Sequence, residues 1–190
     1  IATADTWQRF ALVIGNNVGH RNETTLLYAE RDAEHFFGVL RRLGHVPAPN
    51  ATLLQGADEH AVRAVLHQIE ARLSALQLSK PQAKTSLIVY YSGHADARGL
   101  HLGSSTFPYE EFKQTVARMP ARVRLVVIDG CQSGGATRVK GAGPAEEFDI
   151  RVVSPASTEG FALITSSTAN EDSHESDALR GSFFTHHLLS

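Results

Sequence analysis

The 190-residue sequence contains a single cysteine, Cys131, and this scarcity excludes two classes of protein. One thiol cannot build an internal disulfide framework, and it cannot supply the several thiolates of a cysteine-rich zinc site. Long apolar runs are missing too, because no stretch approaches the roughly 20 residues that span a bilayer. No block of Lys or Arg stands out and the net charge is −2, so we expect neither nucleic acid nor a membrane as partner.

The organisation of the chain is that of one ordinary domain. With 42% hydrophobic and 20% charged residues, the composition is typical of a globular protein that closes a single sizeable core. We therefore expect residues 1–190 to form one domain, whose last helix is cut short at Ser190. The sequence begins at Ile1 rather than Met, so a signal peptide or an upstream domain stays open; otherwise we expect a cytoplasmic protein.

Short apolar runs alternate with segments of helical periodicity along the whole chain. This rhythm predicts an α/β fold, a three-layer sandwich around a mainly parallel sheet. The predicted strands are residues 10–14, 51–54, 87–91, 125–128 and 161–165, and residues 100–102 form a small hairpin or strand. The predicted helices are residues 29–43, a segment that Asp58 caps and that runs to Leu76, residues 109–119 and residues 182–189.

Two of the predicted strands run into reactive residues. Residues 87–91 lead into Ser92-Gly93-His94, and residues 125–128 lead into Asp129-Gly130-Cys131. Sites in open α/β sheets form beyond the carboxyl ends of the strands, so a thiol and an imidazole would meet there as a nucleophile and its acid/base partner. The alternative is that Cys131 is a small core residue and His94 a hydrogen-bonded turn residue. Two glycine-rich turns that both follow buried strands favour the catalytic interpretation.

The two segments resemble the catalytic pair of caspase-like cysteine peptidases of the C14 type. The motifs that carry the resemblance are Tyr91-Ser92-Gly93-His94 and Asp129-Gly130-Cys131-Gln132-Ser133-Gly134, and they are most similar to the metacaspase and bacterial orthocaspase branch. Residues 28–33 and the ending Gly181-Ser182-Phe183-Phe184-Thr185 also match. The resemblance implies a caspase-like sandwich with a large-subunit-like part (1–140), a loop (135–155) and the start of a small-subunit-like part (156–190). It also implies a Cys131–His94 dyad, with the N–H groups of Gly93 and Cys131 as oxyanion donors.

The resemblance further implies a preference for basic residues. Caspases that cut after aspartate have a glutamine where this chain has Asp129, and an arginine where Leu26 falls. In metacaspases the primary specificity pocket (S1) is built from residues that correspond to Asp32, Ser92 and Asp129. Two carboxylates in a narrow pocket suit a guanidinium or an ammonium group, so we expect cleavage after Arg and then Lys. The alternative for Asp32 is a carboxylate that interacts only with the dipole of its helix.

Calcium activation, which many metacaspases require, is not expected for this chain. The segment after His94 carries one acid, Asp96, and cannot supply several oxygen ligands. A second group of acids lies far along the sequence and is interpreted as a solvated loop: Glu171, Asp172, Glu175 and Asp177. The ten histidines show no metal-ligand spacing, so we expect neither a metal nor another cofactor.

Two further groups of residues complete the predicted site. Arg138, Lys140 and Arg151 follow Cys131 in a predicted surface loop, where a peptidase of basic specificity could cut itself. Ser166, Ser167 and Thr168 follow the last predicted strand and either line the substrate cleft or form a plain surface turn.

The sequence as a whole predicts a cysteine endopeptidase that acts on a protein or peptide through an acyl-enzyme. We expect a regulated signalling or defence protease, with an activating partner or domain left open. A catalytically idle caspase-like scaffold and a peptidase of the same clan with another specificity remain the alternatives.

Overall fold

A five-stranded sheet forms the centre of the fold. The computed structural model describes residues 7–130, 160–166 and 175–190. Within these residues its strands are β1 (Gln8–Asn16), β2 (Ala51–Gln55), β3 (Thr85–Gly93), β6 (Val123–Asp129) and β7 (Phe161–Thr165). Their order in the sheet is β2-β1-β3-β6-β7, and every neighbouring pair is parallel. Two small antiparallel hairpins join β4 (Gly99–Leu102) to β5 (Ser105–Pro108) and β8 (Glu175–Ser176) to β9 (Gly181–Ser182).

Helices cover both faces of the sheet. They are α1 (Ala29–Arg42), α2 (Glu59–Ser79), α3 (Tyr109–Ala117) and α4 (Phe183–Leu189). Alternate side chains of a strand point to opposite faces, and β1 shows this clearly. Leu12 and Ile14 pack in one apolar cluster with side chains of α2 and α3, whereas Ala11 and Val13 pack in a second cluster with α1. The predicted caspase-like three-layer α/β sandwich around a mainly parallel sheet is confirmed.

The strands and helices differ from the predicted segments mainly at their ends. The strands at the centre of the sheet extend beyond their apolar runs, so that Ser92, Gly93 and Asp129 belong to the sheet itself. Helix α3 ends at Ala117 rather than Met119, and α4 begins at Phe183 with Ser182 as its N-cap. Residues 100–102 belong to a hairpin, as predicted. In the described parts of the chain, no helix is long and apolar enough to cross a membrane.

The β8–β9 hairpin corrects one sequence prediction. Glu175 and Asp177 were expected in a solvated loop, but Glu175 opens β8 and is half-buried. Its carboxylate accepts the backbone N–H groups of Leu27 at 2.9 Å and Tyr28 at 2.8 Å. Tyr28 is the N-cap of α1 and has no capping side-chain bond of its own. Glu175 therefore satisfies donors at the start of α1 that the helix leaves unpaired, and its negative charge favours that end of the helix dipole.

Candidate active site

The carboxyl ends of three neighbouring strands bring the predicted site residues together. Ser92 and Asp129 are register partners in β3 and β6, and Asn16 and Gly93 are register partners in β1 and β3. The register follows from the apolar runs, because a slip of one residue would turn each buried side chain to the other face of the sheet. Polar residues that follow these runs are therefore fixed side by side at one edge.

His94 directly follows β3 and is 7% exposed. Its Nε2 lies 2.8 Å from the carbonyl oxygen of Thr24. The backbone carbonyl of His94 accepts the Tyr91 hydroxyl at 2.6 Å and the N–H of His101 at 2.8 Å. Burial raises the pKa of Tyr91 well above its usual value, so this hydroxyl keeps its proton and remains a donor. Both the ring and the backbone of His94 are thus held by specific hydrogen bonds.

Glu23 is a residue near His94 that the sequence analysis missed. Its Oε1 lies 3.9 Å from His94 Nδ1 and 2.8 Å from His101 Nδ1. Its Oε2 accepts the backbone N–H of His20 at 2.6 Å. These contacts join a polar loop to two histidines of the β3–β4 region. Nothing local in the sequence around Glu23 signals the contacts with His94 and His101, since both histidines lie more than 70 residues away.

Cys131 lies outside the described residues, but the residue before it is well placed relative to His94. A Cβ atom on Gly130 would lie 2.8 Å from the carbonyl oxygen of Gly93, so the two backbones pack in direct contact. The Gly130 N–H donates to the Ser166 hydroxyl at 3.1 Å. Ser166, predicted in the cleft, therefore holds the backbone of Gly130, the last described residue before Cys131. The predicted cleft residues Ser167 and Thr168, and the predicted self-cleavage residues Arg138, Lys140 and Arg151, also lie outside the described residues.

Asp32, Ser92 and Asp129 line one cavity together with His94, although the first and the last are almost 100 residues apart in sequence. We call this cavity the acid pocket; its described lining is Leu26, Ala29, Asp32, Ser92, Gly93, His94, Asp129, Gly130, Glu175 and Ser182. Asp32, Ser92 and Asp129 are each 3% exposed. Three carboxylates and no Lys or Arg occur among these residues. The lining therefore has the charge that suits a cationic side chain.

Asp32 shows the electrostatic cost of this arrangement. The pKa of its carboxyl is raised from 3.8 to about 7, mainly by burial; the nearby carboxylates of Asp129 and Glu175 contribute to the rise, and hydrogen bonds from Ser182 oppose it. A buried carboxyl beside other acids favours its neutral form until a cation arrives. Asp32 also lies in the first turn of α1, as the helix-dipole alternative requires, but its side chain faces the acid pocket.

The acid pocket is nearly closed in this structure. Its volume is about 20 Å³, which is room for about one water molecule. A wider cavity of about 330 Å³ also includes Gly130 in its lining, together with residues such as Asp96, Tyr109 and Thr165. Among the residues that the structure describes, no group of three or more His, Cys, Asp or Glu side chains is arranged to hold a metal ion.

Several residues of the acid pocket were not predicted as site residues. Ser182 lines it from β9 and Glu175 from β8, and Leu26 lies at the point where aspartate-specific caspases have an arginine. The only sequence signal for Ser182 was its place in the Gly181–Thr185 ending, which carried a resemblance but no assigned role. Glu175 had no signal beyond its charge.

Solved caspase structures have the same fold as this chain although their sequence identity to it is low. The solved structure of Caspase-1 from Spodoptera frugiperda superposes with a TM-score of 0.68 at 15% identity, over 96% of this chain and 68% of that chain. The structure of pro-sf-caspase-1 gives a TM-score of 0.56 at 13% identity, over 100% of this chain and 74% of that one. No curated protein sequence matches. At these identities the structural likeness shows the fold alone.

The sequence profile of the caspase domain, peptidase family C14, matches residues 8–190. This match spans nearly the whole chain, including the strand ends that carry His94 and the acid pocket. The chain therefore belongs to the caspase domain family of cysteine peptidases.

Proposed function

We propose that this protein is a cysteine endopeptidase that cleaves after Arg, and less efficiently after Lys, with Cys131 as nucleophile and His94 as acid/base. The observation that carries the proposal is the acid pocket: Asp32, Asp129 and Glu175 line one cavity that also contacts His94. An acidic side chain entering it would meet only acidic groups and find no cation to pair with, whereas a guanidinium would be paired. The same pocket is the reason to favour the metacaspase and orthocaspase branch.

The proposed reaction begins with the Cys131 thiolate, the nucleophilic form of the thiol. The sulfur forms a bond to the carbonyl carbon of the basic residue, and the electron pair of the C=O double bond moves onto oxygen. The N–H groups of Gly93 and Cys131 would stabilise this oxyanion, a contribution of about 3 kcal/mol per donor in other peptidases. The C–N bond then breaks, and His94 donates a proton to the departing amine. Water, deprotonated by His94, hydrolyses the thioester and releases the sulfur.

The hydrogen bond of His94 to Thr24 supports this division of roles. A carbonyl oxygen only accepts, so Nε2 carries the proton in the neutral ring. Nδ1 is then the basic nitrogen that exchanges a proton with the reacting groups. The closed volume of the acid pocket adds a requirement: an arginine side chain enters only when the pocket walls move apart.

The test is hydrolysis of matched fluorogenic peptides that differ only at the residue before the scissile bond. Arg, Lys, Asp and citrulline versions would be compared for the wild type and Cys131→Ala, with and without a calcium chelator. We expect the order Arg, then Lys, with Asp uncut, no activity in Cys131→Ala and no effect of the chelator. Cleavage of the Asp peptide would support the assignment as a peptidase but overturn the proposed role of the acid pocket in selecting basic residues. A chelator effect reversed by calcium alone would overturn calcium independence.

Self-cleavage, activation and location remain part of the same proposal. Intact-mass measurement of the wild type should show cleavage after Arg138, Lys140 or Arg151, and Cys131→Ala should stay whole. An intact chain in fully active enzyme would contradict self-cleavage. A cytoplasmic location and an activating partner or domain are also proposed.

A further inference from the structure

The Gly181–Thr185 segment makes direct hydrogen bonds to both aspartates of the acid pocket, which no sequence pattern predicted. The backbone N–H of Ser182 donates to Asp32 Oδ2 at 2.8 Å. The hydroxyl of the same residue donates to Asp129 Oδ2. One residue of β9 therefore bridges the two carboxylates that define the pocket, and it is itself buried, with 4% exposure.

Thr185 adds a second hydroxyl to Asp129. Its Oγ1 donates to Asp129 Oδ2 at 2.6 Å, and the Tyr90 hydroxyl lies 2.5 Å from Oγ1. Since Thr185 has one hydroxyl proton and gives it to the carboxylate, Tyr90 is the donor to Thr185. Burial raises the pKa of Tyr90 well above its usual value, which keeps that donor protonated. The result is a chain of donors that ends on Asp129 Oδ2, the same oxygen that accepts the Ser182 hydroxyl.

The local geometry leaves little freedom in this segment. A Cβ atom on Gly181 would lie 2.5 Å from Asp32 Oδ1, so no other residue fits there without moving the carboxylate. The Ser182 hydroxyl also accepts the N–H of Thr185 at 2.9 Å, the N-cap bond of α4. Helix α4 therefore begins with its capping hydroxyl directed at Asp129. The same bonds that start the helix fix the positions of the pocket carboxylates.

We propose that Ser182 and Thr185 are specificity-determining positioning residues, which hold the carboxylates of Asp129 and Asp32 in the orientation that recognises a basic side chain. This inference rests on the proposed function and deepens it. Neither residue needs to touch the substrate cation, because their effect passes through the two carboxylates. Removing a hydroxyl should then weaken the recognition of positive charge while sparing the chemistry at Cys131.

The test compares peptides with Arg and with citrulline before the scissile bond. Citrulline has the shape of arginine without its charge, so the ratio of the two kcat/KM values measures charge recognition. We expect Thr185→Val to lower this ratio about tenfold, chiefly through a higher KM for the Arg peptide, because a hydrogen bond to a charged group is lost. Thr185→Ser keeps the hydroxyl and should retain the wild-type ratio.

Controls separate positioning from general damage to the fold. Thr85→Val removes another buried threonine hydroxyl, which accepts the Arg122 N–H at the opposite end of β3, and should leave the ratio unchanged. If Thr185→Val does not fold, Ser182→Ala provides the second variant with the same expected loss. In an Asp129→Asn background, Thr185→Val should cause no further fall in the ratio, because the two changes act on one carboxylate.

The outcomes distinguish the inference from the proposed function. A wild type that prefers Arg, together with a Thr185→Val enzyme that keeps the same ratio, overturns the inference alone. Equal losses for the Arg and citrulline peptides would show a merely structural role and overturn it as well. A wild type that does not cleave the Arg peptide overturns both. A selective loss for Arg, restored by Thr185→Ser, supports the inference.

Discussion

The imidazole of His94 is held at Nε2 by the carbonyl oxygen of Thr24, 2.8 Å away, from a loop 70 residues earlier in the chain. This bond determines which ring nitrogen is basic. The loop that carries Thr24 also brings Gly19 against the ring: a Cβ atom on Gly19 would lie 2.6 Å from His94 Cδ2, and closer still to the Glu23 carboxylate. The position of the His94 ring therefore requires glycine at residue 19, because any side chain there would collide with the ring.

Gly19→Ala should lower kcat/KM for the Arg peptide by about 10- to 100-fold, because the new methyl group displaces His94 from its position. Gly38→Ala is the matched control, since its Cβ would meet nothing closer than Arg42 Nη2 at 3.5 Å. It lies within α1 and should leave kcat/KM unchanged while raising the unfolding free energy by about 0.5–1 kcal/mol. Steady-state kinetics and urea unfolding of both variants check this pair. Full activity in Gly19→Ala would contradict the proposed constraint.

Tyr91→Phe should reduce the free energy of unfolding by about 1–3 kcal/mol, because the buried carbonyls of His94 and His101 lose a donor. The Tyr91 hydroxyl lies 2.6 Å from the first oxygen and 2.8 Å from the second. Tyr109→Phe is the control, since within the described residues the Tyr109 hydroxyl makes no hydrogen bond. Equal stabilities of the two variants in urea titration would rule out the stabilising role of the Tyr91 hydroxyl.

Asp32→Asn should flatten the dependence of stability on pH. The folded-state pKa of Asp32 is raised to about 7 by burial, so the folded protein binds this proton more tightly than the unfolded chain. The contribution of Asp32 to the unfolding free energy therefore falls as pH rises from about 4 to 7, by at most about 1.4 kcal/mol per pH unit. Asn keeps an oxygen for the Ser182 N–H and never ionises. We expect it to be more stable than the wild type at pH 8.

Chemical unfolding at several pH values between 4 and 8 measures this difference. Glu34→Gln, at an exposed carboxylate of the same helix, is the charge-matched control and should retain the wild-type slope. An Asp32→Asn variant that is less stable than the wild type at pH 8 would show that the ionised carboxylate stabilises the fold, contrary to this account.

Recognition of arginine should strengthen as pH rises through about 7, where Asp32 ionises. The ratio of kcat/KM for the Arg and citrulline peptides is the suitable measure, since any effect of pH on the shared chemical step cancels in it. The ratio should rise between pH 6 and 8 in the wild type and stay low and flat in Asp32→Asn. A wild-type ratio that is constant over this range would mean that the pocket charge does not change.

The sequence predicted those parts of the site that follow directly from apolar runs. Ser92 and Asp129 come at the ends of two predicted strands, so the strand pattern placed both at one edge of the sheet, whereas their role in a specificity pocket came from the family resemblance. Asp32 required the family resemblance, because a carboxylate in the first turn of a helix ordinarily has only a local role. The family assignment and the sandwich fold are confirmed, whereas the residues proposed for catalysis and specificity remain predictions.

The remainder of the site depends on contacts that no local pattern contains. Ser182 reaches Asp32 across 150 positions, and Glu175 reaches Tyr28 across 147. Strands β8 and β9 have two residues each, too few for an alternating pattern to identify. Glu175 was interpreted as a solvated acid because its partners are backbone N–H groups, which every non-proline residue has and which no sequence pattern can identify.

The most direct test of the central claim is covalent labelling of the protein by two peptidyl acyloxymethyl ketones, one ending in Arg and one in Asp. Such inhibitors alkylate a catalytic thiol only after their terminal side chain is bound in the specificity pocket. Intact-mass measurement and peptide mapping should show one Arg-derived adduct on Cys131, absent from Cys131→Ala and strongly reduced in Asp129→Asn. Preferential labelling by the Asp inhibitor, or no labelling of Cys131 by either, would contradict the account.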